Sequence, residues 1–221
     1  MGTISLSLKK IILLAILLFA KMFAAAQNEA LGADNRAKNR YVIWMIPSVA
    51  SNIYGIAIGP VGSESICNRP YTKFSHGLNI QFIGQGIFQA FYIKYAKFED
   101  FNLRADEDHG FFSDSLSKRA IHNGILLSLF GTFTDQVNGV SLSPWMSMGT
   151  KINGISFNLL WNRYERINGV SIGLVNHAVL SKGVQIGLVN KAKKNRGFQF
   201  GLWNKNEKRS LPLVNWSFKD K

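Results

Sequence analysis

Four histidines are the side chains of this 221-residue sequence best suited to metal binding or acid–base catalysis: His76, His109, His122 and His177. Metal sites place histidine and cysteine ligands at short, regular spacings. No two of these histidines have such a spacing, and none has a cysteine partner. We therefore expect solvated or strand-facing histidines rather than metal ligands.

Other motifs with chemical potential are incomplete. The acidic cluster Asp106-Glu107-Asp108-His109 offers oxygen ligands for a divalent cation, but it lacks the alternation of a calcium-binding loop, so we expect a solvated loop. The segments Gly59-Pro60-Val61-Gly62 and Gly84-Gln85-Gly86 are too short for a nucleotide fingerprint, and no serine lies in a Gly-x-Ser-x-Gly motif. The sequence thus predicts a protein that is not an enzyme, with no catalytic residue, no metal site and no cofactor.

Tryptophans provide the remaining candidate ligand-binding groups. Four of them fall in the second half of the chain, at Trp145, Trp161, Trp203 and Trp216. Such rings stack on sugars or lie at membrane interfaces, and core packing is the expectation. A secreted glycan-binding module or enzyme that uses these rings is the alternative.

A short repeat organises the second half of the chain. Its first marker is a glycine that recurs at a spacing of 15 and later of 14: Gly124, Gly139, Gly154, Gly169, Gly183 and Gly197. Its second marker is an asparagine that recurs at a spacing of 14, which we interpret as closing each strand: Asn162, Asn176, Asn190 and Asn204. Two independent markers with one period indicate a repeat architecture, in which these ten residues have structural roles.

Each repeat unit has the alternation of a β-strand. Val170, Ile172 and Leu174 fall on one side of the chain, while the intervening Ser171 and Gly173 fall on the other. The polar connectors at 163–166, 191–196 and 205–209 predict solvated turns, and they become basic toward the end of the chain. Ten Lys or Arg against two acidic residues in 182–221 give 10 − 2 = +8, which predicts the end that would meet an anionic surface.

Two all-β folds accommodate the pattern. A β-solenoid is favoured because equal repeats stack into equivalent coils, and stacked asparagines can hydrogen-bond along the stack. The alternative is an up-and-down outer-membrane β-barrel with its apolar side toward lipid and its small polar side inward. The single long loop expected at 99–120 argues against that alternative, since such barrels alternate short and long connections.

The N-terminus predicts export. Lys9 and Lys10 precede the apolar run 11–20, and Ala24-Ala25-Ala26 provides a cleavage site, so residues 1–26 resemble a secretory signal peptide. We expect one β-repeat domain over 27–221. Within it, 27–122 is a degenerate half that keeps the glycine signature at Gly55 and Gly77, 123–209 holds the regular repeats, and 210–221 is a cap.

Charge and cysteine content narrow the choice of partners. The chain carries a formal charge of +13, and export argues against a nucleic-acid partner. Anionic lipid, acidic glycan or an envelope surface suits a basic exported protein better. Cys67 is the single cysteine, so an internal disulfide is impossible, and we expect a buried, inert thiol.

The repeat units resemble a known family. Asn168-Gly-Val-Ser-Ile-Gly-Leu-Val-Asn176 and Gly183-Val-Gln-Ile-Gly-Leu-Val-Asn190 are similar to the surface-repeat proteins of Gram-negative bacteria, well over 123–218 and loosely over 52–84. The resemblance implies an envelope protein without assigned chemistry. We therefore expect a non-enzymatic surface or outer-membrane structural or interaction protein, with a periplasmic location as the alternative. An outer-membrane pore or transport protein is the alternative function.

Overall fold

Strands dominate the computed structural model, which describes residues 38–48, 50–62, 73–84 and 120–218 together with Lys21. The predicted signal peptide other than Lys21, Cys67, and residues 99–119 of the loop expected at 99–120, which include the acidic cluster with His109, lie outside these residues. Ala120, the last residue of that expected loop, begins β4. The strands are β1 (Asn39–Met45), β2 (Asn52–Gly59), β3 (Lys73–Gln81), β4 (Ala120–Ser128), β5 (Thr132–Ser143), β6 (Met146–Asn158), β7 (Trp161–Ile172), β8 (Val175–Ile186), β9 (Val189–Lys205) and β10 (Ser210–Ser217).

The strands pair in the order of the sequence, and each pair from β1 to β9 is parallel. Successive strands therefore belong to successive coils of about eight turns, and residues 15 or 14 apart lie side by side. The predicted β-solenoid is confirmed. The up-and-down alternative is wrong for the described strands, because its neighbouring strands would have to be antiparallel.

A glycine corner bends each long strand around the solenoid. Gly154 has a φ of 137° and lies between Gly139 and Gly169 in the register. A β-carbon at Gly154 would collide with the carbonyl oxygen of Gly139 in the preceding coil. Only glycine meets both conditions, since it tolerates this backbone region and has no β-carbon. The repeating glycine is thus the corner at which the chain passes from one face of the solenoid to the other.

Each full coil therefore has two sheet faces joined by the glycine corner and by a bend. In β7, the segment before Gly169 forms one face and Val170–Ile172 belongs to the other. Asn162 and Asn176 are the second residues of β7 and β8. The interpretation that the asparagine closes its strand was therefore wrong at these positions, because the bend precedes it and the asparagine lies in the following strand.

The degenerate N-terminal coils continue the same register. Gly55 pairs with Gly77, and Gly77 pairs with Gly124 across the chain between β3 and β4. Both glycines have positive φ, 119° and 116°. The glycine corner is thus shared by β2 to β9, although the sequence resemblance among the first coils is weak.

An antiparallel strand covers the last coil. β10 pairs with β9, and the register shifts between Leu211 and Leu213, at the proline that cannot donate a backbone hydrogen bond.

Glu207, in the turn before β10, accepts hydrogen bonds from the Asn195 backbone N–H (2.8 Å) and the Ser217 hydroxyl (2.8 Å). Burial alone would raise the pKa of Glu207. The hydrogen bonds, including one from its own backbone N–H, and the Arg196 guanidinium outweigh burial and hold that pKa below its usual value.

Candidate interaction surface

One face of the solenoid carries two continuous ladders of apolar side chains, which we call the apolar face. The first ladder follows the corner glycine, and the second lies two residues further along each strand. In register order, the ladders are Ile43, Ile56, Leu78, Ile125, Val140, Ile155, Val170, Val184 and Phe198, and Met45, Ile58, Ile80, Leu127, Leu142, Phe157, Ile172, Ile186 and Phe200. None of these side chains is buried.

The exposure along one strand of this face is the reverse of that in an ordinary soluble domain. Ile155 is 43% exposed and Phe157 is 46% exposed, whereas Ser156 between them is fully buried. Soluble proteins normally bury aliphatic and aromatic side chains and leave serine outside. The same alternation recurs at Val170, Ser171 and Ile172 in the next coil. The apolar face is therefore a solvent-facing surface rather than part of the core.

The apolar face also extends around the bend and onto the cap. The bends contribute Leu159, Leu174, Leu188 and Leu202, and all four are exposed. At the end of the stack, β10 adds Val214 beside Phe200 and Trp216 beside Phe198. With about 4.8 Å between neighbouring strands, the stack from β1 to β9 makes a surface about 40 Å long. Contiguous exposed apolar side chains of this kind mark an interaction surface, unlike apolar residues that are exposed singly.

The buried side of the same strands is largely polar and contains an asparagine ladder. The Asn162 amide donates to Asn176 Oδ1 (2.9 Å), Asn176 donates to Asn190 Oδ1 (2.8 Å), and Asn190 donates to Asn204 Oδ1 (2.7 Å). All four side chains are fully buried. Each amide of the first three also donates to a backbone carbonyl, such as Ile186 O for Asn176 (2.9 Å). The ladder ties coil to coil and satisfies the polar groups of the bend.

A second buried column contains Ser141, Ser156 and Ser171, followed by Gln185 and Gln199. The serine hydroxyls donate to the asparagine ladder, with 2.6 Å from Ser156 to Asn162 and 2.6 Å from Ser171 to Asn176. Further along, the Gln199 amide donates to Gln185 Oε1 (2.7 Å). The interior is thus filled by short polar side chains that hydrogen-bond to one another.

Apolar residues occupy only part of the interior. Leu126, Val137, Ile152, Tyr164, Ile167 and Ala178 form the central core cluster. Burial raises the pKa of the Tyr164 hydroxyl, and hydrogen bonds with surrounding hydroxyls, including those of Ser156 and Ser141, oppose this shift in part. The column through Val137, Ile152 and Ile167 becomes polar at Ser181 and Asn195. A second apolar cluster, Ile46, Ala50, Ile53 and Ala57, lies in the first coils. In the last two coils, Ala178, Val179 and Ala192 are the buried apolar side chains among mostly polar ones.

The residue before the corner glycine changes from neutral to cationic along the stack. Asn123, Asn138, Asn153 and Asn168 form an outer amide ladder with steps of 2.7, 2.6 and 2.7 Å. The next two positions in the same column are Lys182 and Arg196. The corner is thus neutral beside the middle coils and cationic beside the last two.

The opposite face of the solenoid becomes basic in the later coils, after Phe133 and Met148 in the same column. Arg163, His177 and Lys191 occupy one column of this face in successive coils. Burial, reinforced by the charges of Arg163, Lys191 and Lys193, lowers the pKa of His177 to about 4. His177 is therefore a neutral imidazole on a cationic face at neutral pH.

The other histidines that the structure describes are also held by the fold. The His122 side chain is buried, with Nδ1 lying 3.1 Å from the Asn79 amide nitrogen. The His76 ring stacks on Tyr54 at 4.7 Å between centroids. Within the described residues, no group of three or more His, Cys, Asp or Glu side chains could hold a metal ion.

Three of the four singled-out tryptophans lie at the surface. Trp145, Trp203 and Trp216 are exposed, so the expectation of core packing was wrong for them. Trp161 is half-buried at the start of β7. Trp145 lies in the bend between β5 and β6, Trp203 lies near the end of β9, and Trp216 lies in β10.

Sequence reasoning found the β-repeat, but its strand bounds were wrong. The connectors 163–166 and 191–196, which were expected to be solvated turns, lie within β7 and β9, because the chain bends elsewhere, between Ile172 and Val175 for example. Sequence reasoning also did not establish which side of the strands is buried. The sequence does indicate which side is buried. The residue between the two apolar positions is serine or glutamine in each of the last five coils: Ser141, Ser156, Ser171, Gln185 and Gln199. Side chains that can hydrogen-bond to their own kind in the next coil suit a stacked interior.

Comparison with known proteins gives no further assignment. No family model matches the chain, and neither the curated proteins nor the solved structures contain a match. In the part of the chain that the structure describes, no helix has the length and apolar character needed to cross a bilayer.

Proposed function

We propose that this protein is a non-enzymatic, exported protein of the Gram-negative cell envelope that lies on a lipid membrane surface through its apolar face. The observation that carries this proposal is the reversed arrangement of the coils, with serine and asparagine ladders inside and two apolar ladders outside. An exposed apolar surface of this extent requires an apolar partner, since leaving it in water costs about 25 cal/mol per Å².

A lipid surface suits the shape and borders of the apolar face. The face is long and nearly unbroken, and it presents no pocket-forming polar group among its ladder positions. The exposed Trp216 and the Arg209 guanidinium over its ring accompany it at the cap, as in proteins that reside at the lipid–water boundary. The predicted signal peptide and the resemblance to bacterial surface-repeat proteins support an envelope location.

Vesicle flotation tests the proposal. The purified chain is mixed with neutral phosphatidylcholine vesicles, and a variant carrying Phe157→Gln and Ile172→Gln is compared with it. Burying each of these side chains in lipid is worth roughly 2 kcal/mol, so the double variant is expected to bind on the order of 1,000-fold more weakly. The matched control carries Lys151→Gln and Arg166→Gln, which lie on the opposite face of the same two coils, and it is expected to bind like the natural sequence.

Two results would contradict the proposal. In the first, the protein stays in the soluble fraction with every vesicle tested and forms a dimer. If the Phe157→Gln, Ile172→Gln double variant is then monomeric, a second copy of the chain covers the apolar face. The other is a chain that remains wholly cytoplasmic when its native host is fractionated, which would refute export.

A further inference from the structure

The apolar face has a cationic border at only one end of the corner column. Lys182 and Arg196 follow four asparagines in this column, and each is adjacent to a corner glycine, Gly183 or Gly197. Val184 and Phe198 of the apolar face come directly after those glycines. The two basic side chains therefore extend from the line at which the apolar face ends.

Arg209 adds a third cation to this border. Its guanidinium carbon lies 4.3 Å from the centre of the Trp216 ring, and its Nη2 donates to Trp216 O at 3.2 Å. Its Nε donates to Asn215 Oδ1 at 3.1 Å. Because Trp216 continues the apolar face onto the cap, these contacts hold the Arg209 charge against the rim of that face.

The cationic border keeps a positive balance after its acidic neighbour is counted. Glu207 forms an ion pair with Arg196 at 3.1 Å and compensates one charge. Lys182 and Arg209 have no ion pair with Glu207 in the structure, so three cations against one carboxylate give 3 − 1 = +2 at the border. The neutral asparagine corner of the middle coils has no comparable charge.

Large aromatic side chains accompany the cationic border. Phe198 and Phe200 occupy both ladder positions of β9, and their rings lie 5.8 Å apart. Trp216 joins them from the cap. Aromatic rings beside arginine and lysine are typical of protein segments at lipid headgroups, where the rings occupy the interface and the cations meet phosphate.

We propose that Lys182, Arg196 and Arg209 bind the phosphates of anionic lipid headgroups when the apolar face lies on a bilayer. This inference rests on the proposed membrane function and specifies the lipid class. Binding by the border directs the C-terminal end of the solenoid to anionic lipid, while the apolar ladders bind the acyl region without regard to headgroup charge. The cations of the opposite face lie across the thickness of the solenoid from the membrane and contribute little.

Paired flotation experiments test the inference on the whole chain. Neutral phosphatidylcholine vesicles are compared with vesicles of equimolar phosphatidylcholine and phosphatidylglycerol, at low and at high salt. The border variant carries Lys182→Gln, Arg196→Gln and Arg209→Gln. The control variant carries Lys191→Gln, Lys193→Gln and Lys194→Gln, which remove the same charge from exposed positions of the opposite face. Circular dichroism and urea unfolding establish that both variants are folded.

The natural sequence is expected to prefer the anionic vesicles, and high salt is expected to weaken that preference. At about fivefold for each basic residue near an anionic surface, the border variant should lose on the order of 100-fold in affinity for anionic vesicles and little for neutral ones. The control variant should retain most of its anionic binding. If the triple border variant fails to fold, Lys182→Gln alone is expected to lose about fivefold.

The outcomes separate the two proposals. Equal binding to neutral and anionic vesicles would overturn the inference and leave the membrane function intact. An equal loss in the border and control variants would also overturn it, since total charge would then explain the binding. A chain that binds neither vesicle would refute the membrane function itself, and the inference with it.

Discussion

Val42 lies directly opposite Gly55 in the parallel pairing of β1 and β2, and it adopts a φ of 68°, in the same positive range as the glycines of the later coils. A β-carbon at Gly55 would collide with the carbonyl oxygen of Val42. The added atom would thus point toward the preceding coil. Val42 belongs to the first described coil, and no described strand lies on its far side. Valine therefore has space at this position, although its backbone is strained.

This relationship predicts opposite effects of substitution at the two kinds of corner. Gly154→Ala introduces both positive-φ strain and a collision with Gly139 O, so we expect a loss of about 3 kcal/mol or more in the free energy of unfolding. Val42→Gly removes strain of about 1–3 kcal/mol and adds chain flexibility worth about 0.5–1 kcal/mol, so a net gain of about 1 kcal/mol is expected. Urea denaturation measures both. A Gly154→Ala protein as stable as the natural one would refute the role of the glycine corner.

The asparagine ladder predicts a steep cost for losing one amide. Asn176 accepts hydrogen bonds from Asn162 and Ser171 and donates to Asn190 and to Ile186 O. Asn176→Leu would leave four buried polar groups without this partner, at about 1–3 kcal/mol for each group that finds no replacement. We expect a loss above about 3 kcal/mol, measured by urea denaturation.

The outer amide ladder provides the control for the Asn176 prediction. Asn153 is half-buried at the corner, where water can replace its hydrogen bonds with Asn138 and Asn168. Asn153→Ala is expected to cost about 1 kcal/mol or less. Equal losses at Asn153 and Asn176 would contradict the conclusion that the inner ladder is the principal polar support of the stack.

His177 predicts a loss of stability in acid. Its pKa is lowered from 6.5 to about 4, because burial and the nearby cations Arg163, Lys191 and Lys193 disfavour the imidazolium. Between pH 6.5 and about 4, the unfolded chain therefore binds a proton at this residue that the folded chain does not. The contribution of neutral His177 to the free energy of unfolding is fully present above the pKa of the unfolded chain. It is lost as the pH falls through this window, by at most about 3 kcal/mol.

Substitution at His177 isolates that contribution. His177→Gln cannot be protonated, so the difference in unfolding free energy between this variant and the natural sequence should change in favour of the variant as the pH is lowered. Urea denaturation at several pH values across the window measures this difference. A difference independent of pH would show that His177 has its ordinary pKa in the folded chain.

Local chemistry was sufficient to predict the all-β repeat, the coil length and the special role of the repeating glycines, but it did not give the ends of the strands. The alternation of Val170, Ser171 and Ile172 specifies an extended strand, and the recurrence of Gly139, Gly154 and Gly169 specifies equal units. Stacked asparagines favoured a solenoid, and the parallel register confirmed it. These features could be read from the sequence because they depend on the spacing of residues along one chain.

The tertiary structure decided which side of each strand faces the interior and which faces solvent. An alternating strand has one apolar and one polar side, and its sequence alone does not state which side a neighbouring segment will cover. Beyond the glycine corner, the closed coil turns the small polar side of each strand inward, where Ser156 donates to Asn162 and Asn162 donates to Asn176 in the next coil. Phe157 and Ile172 are therefore left outside, and the sites to which we assign function arise from the closure of the coil.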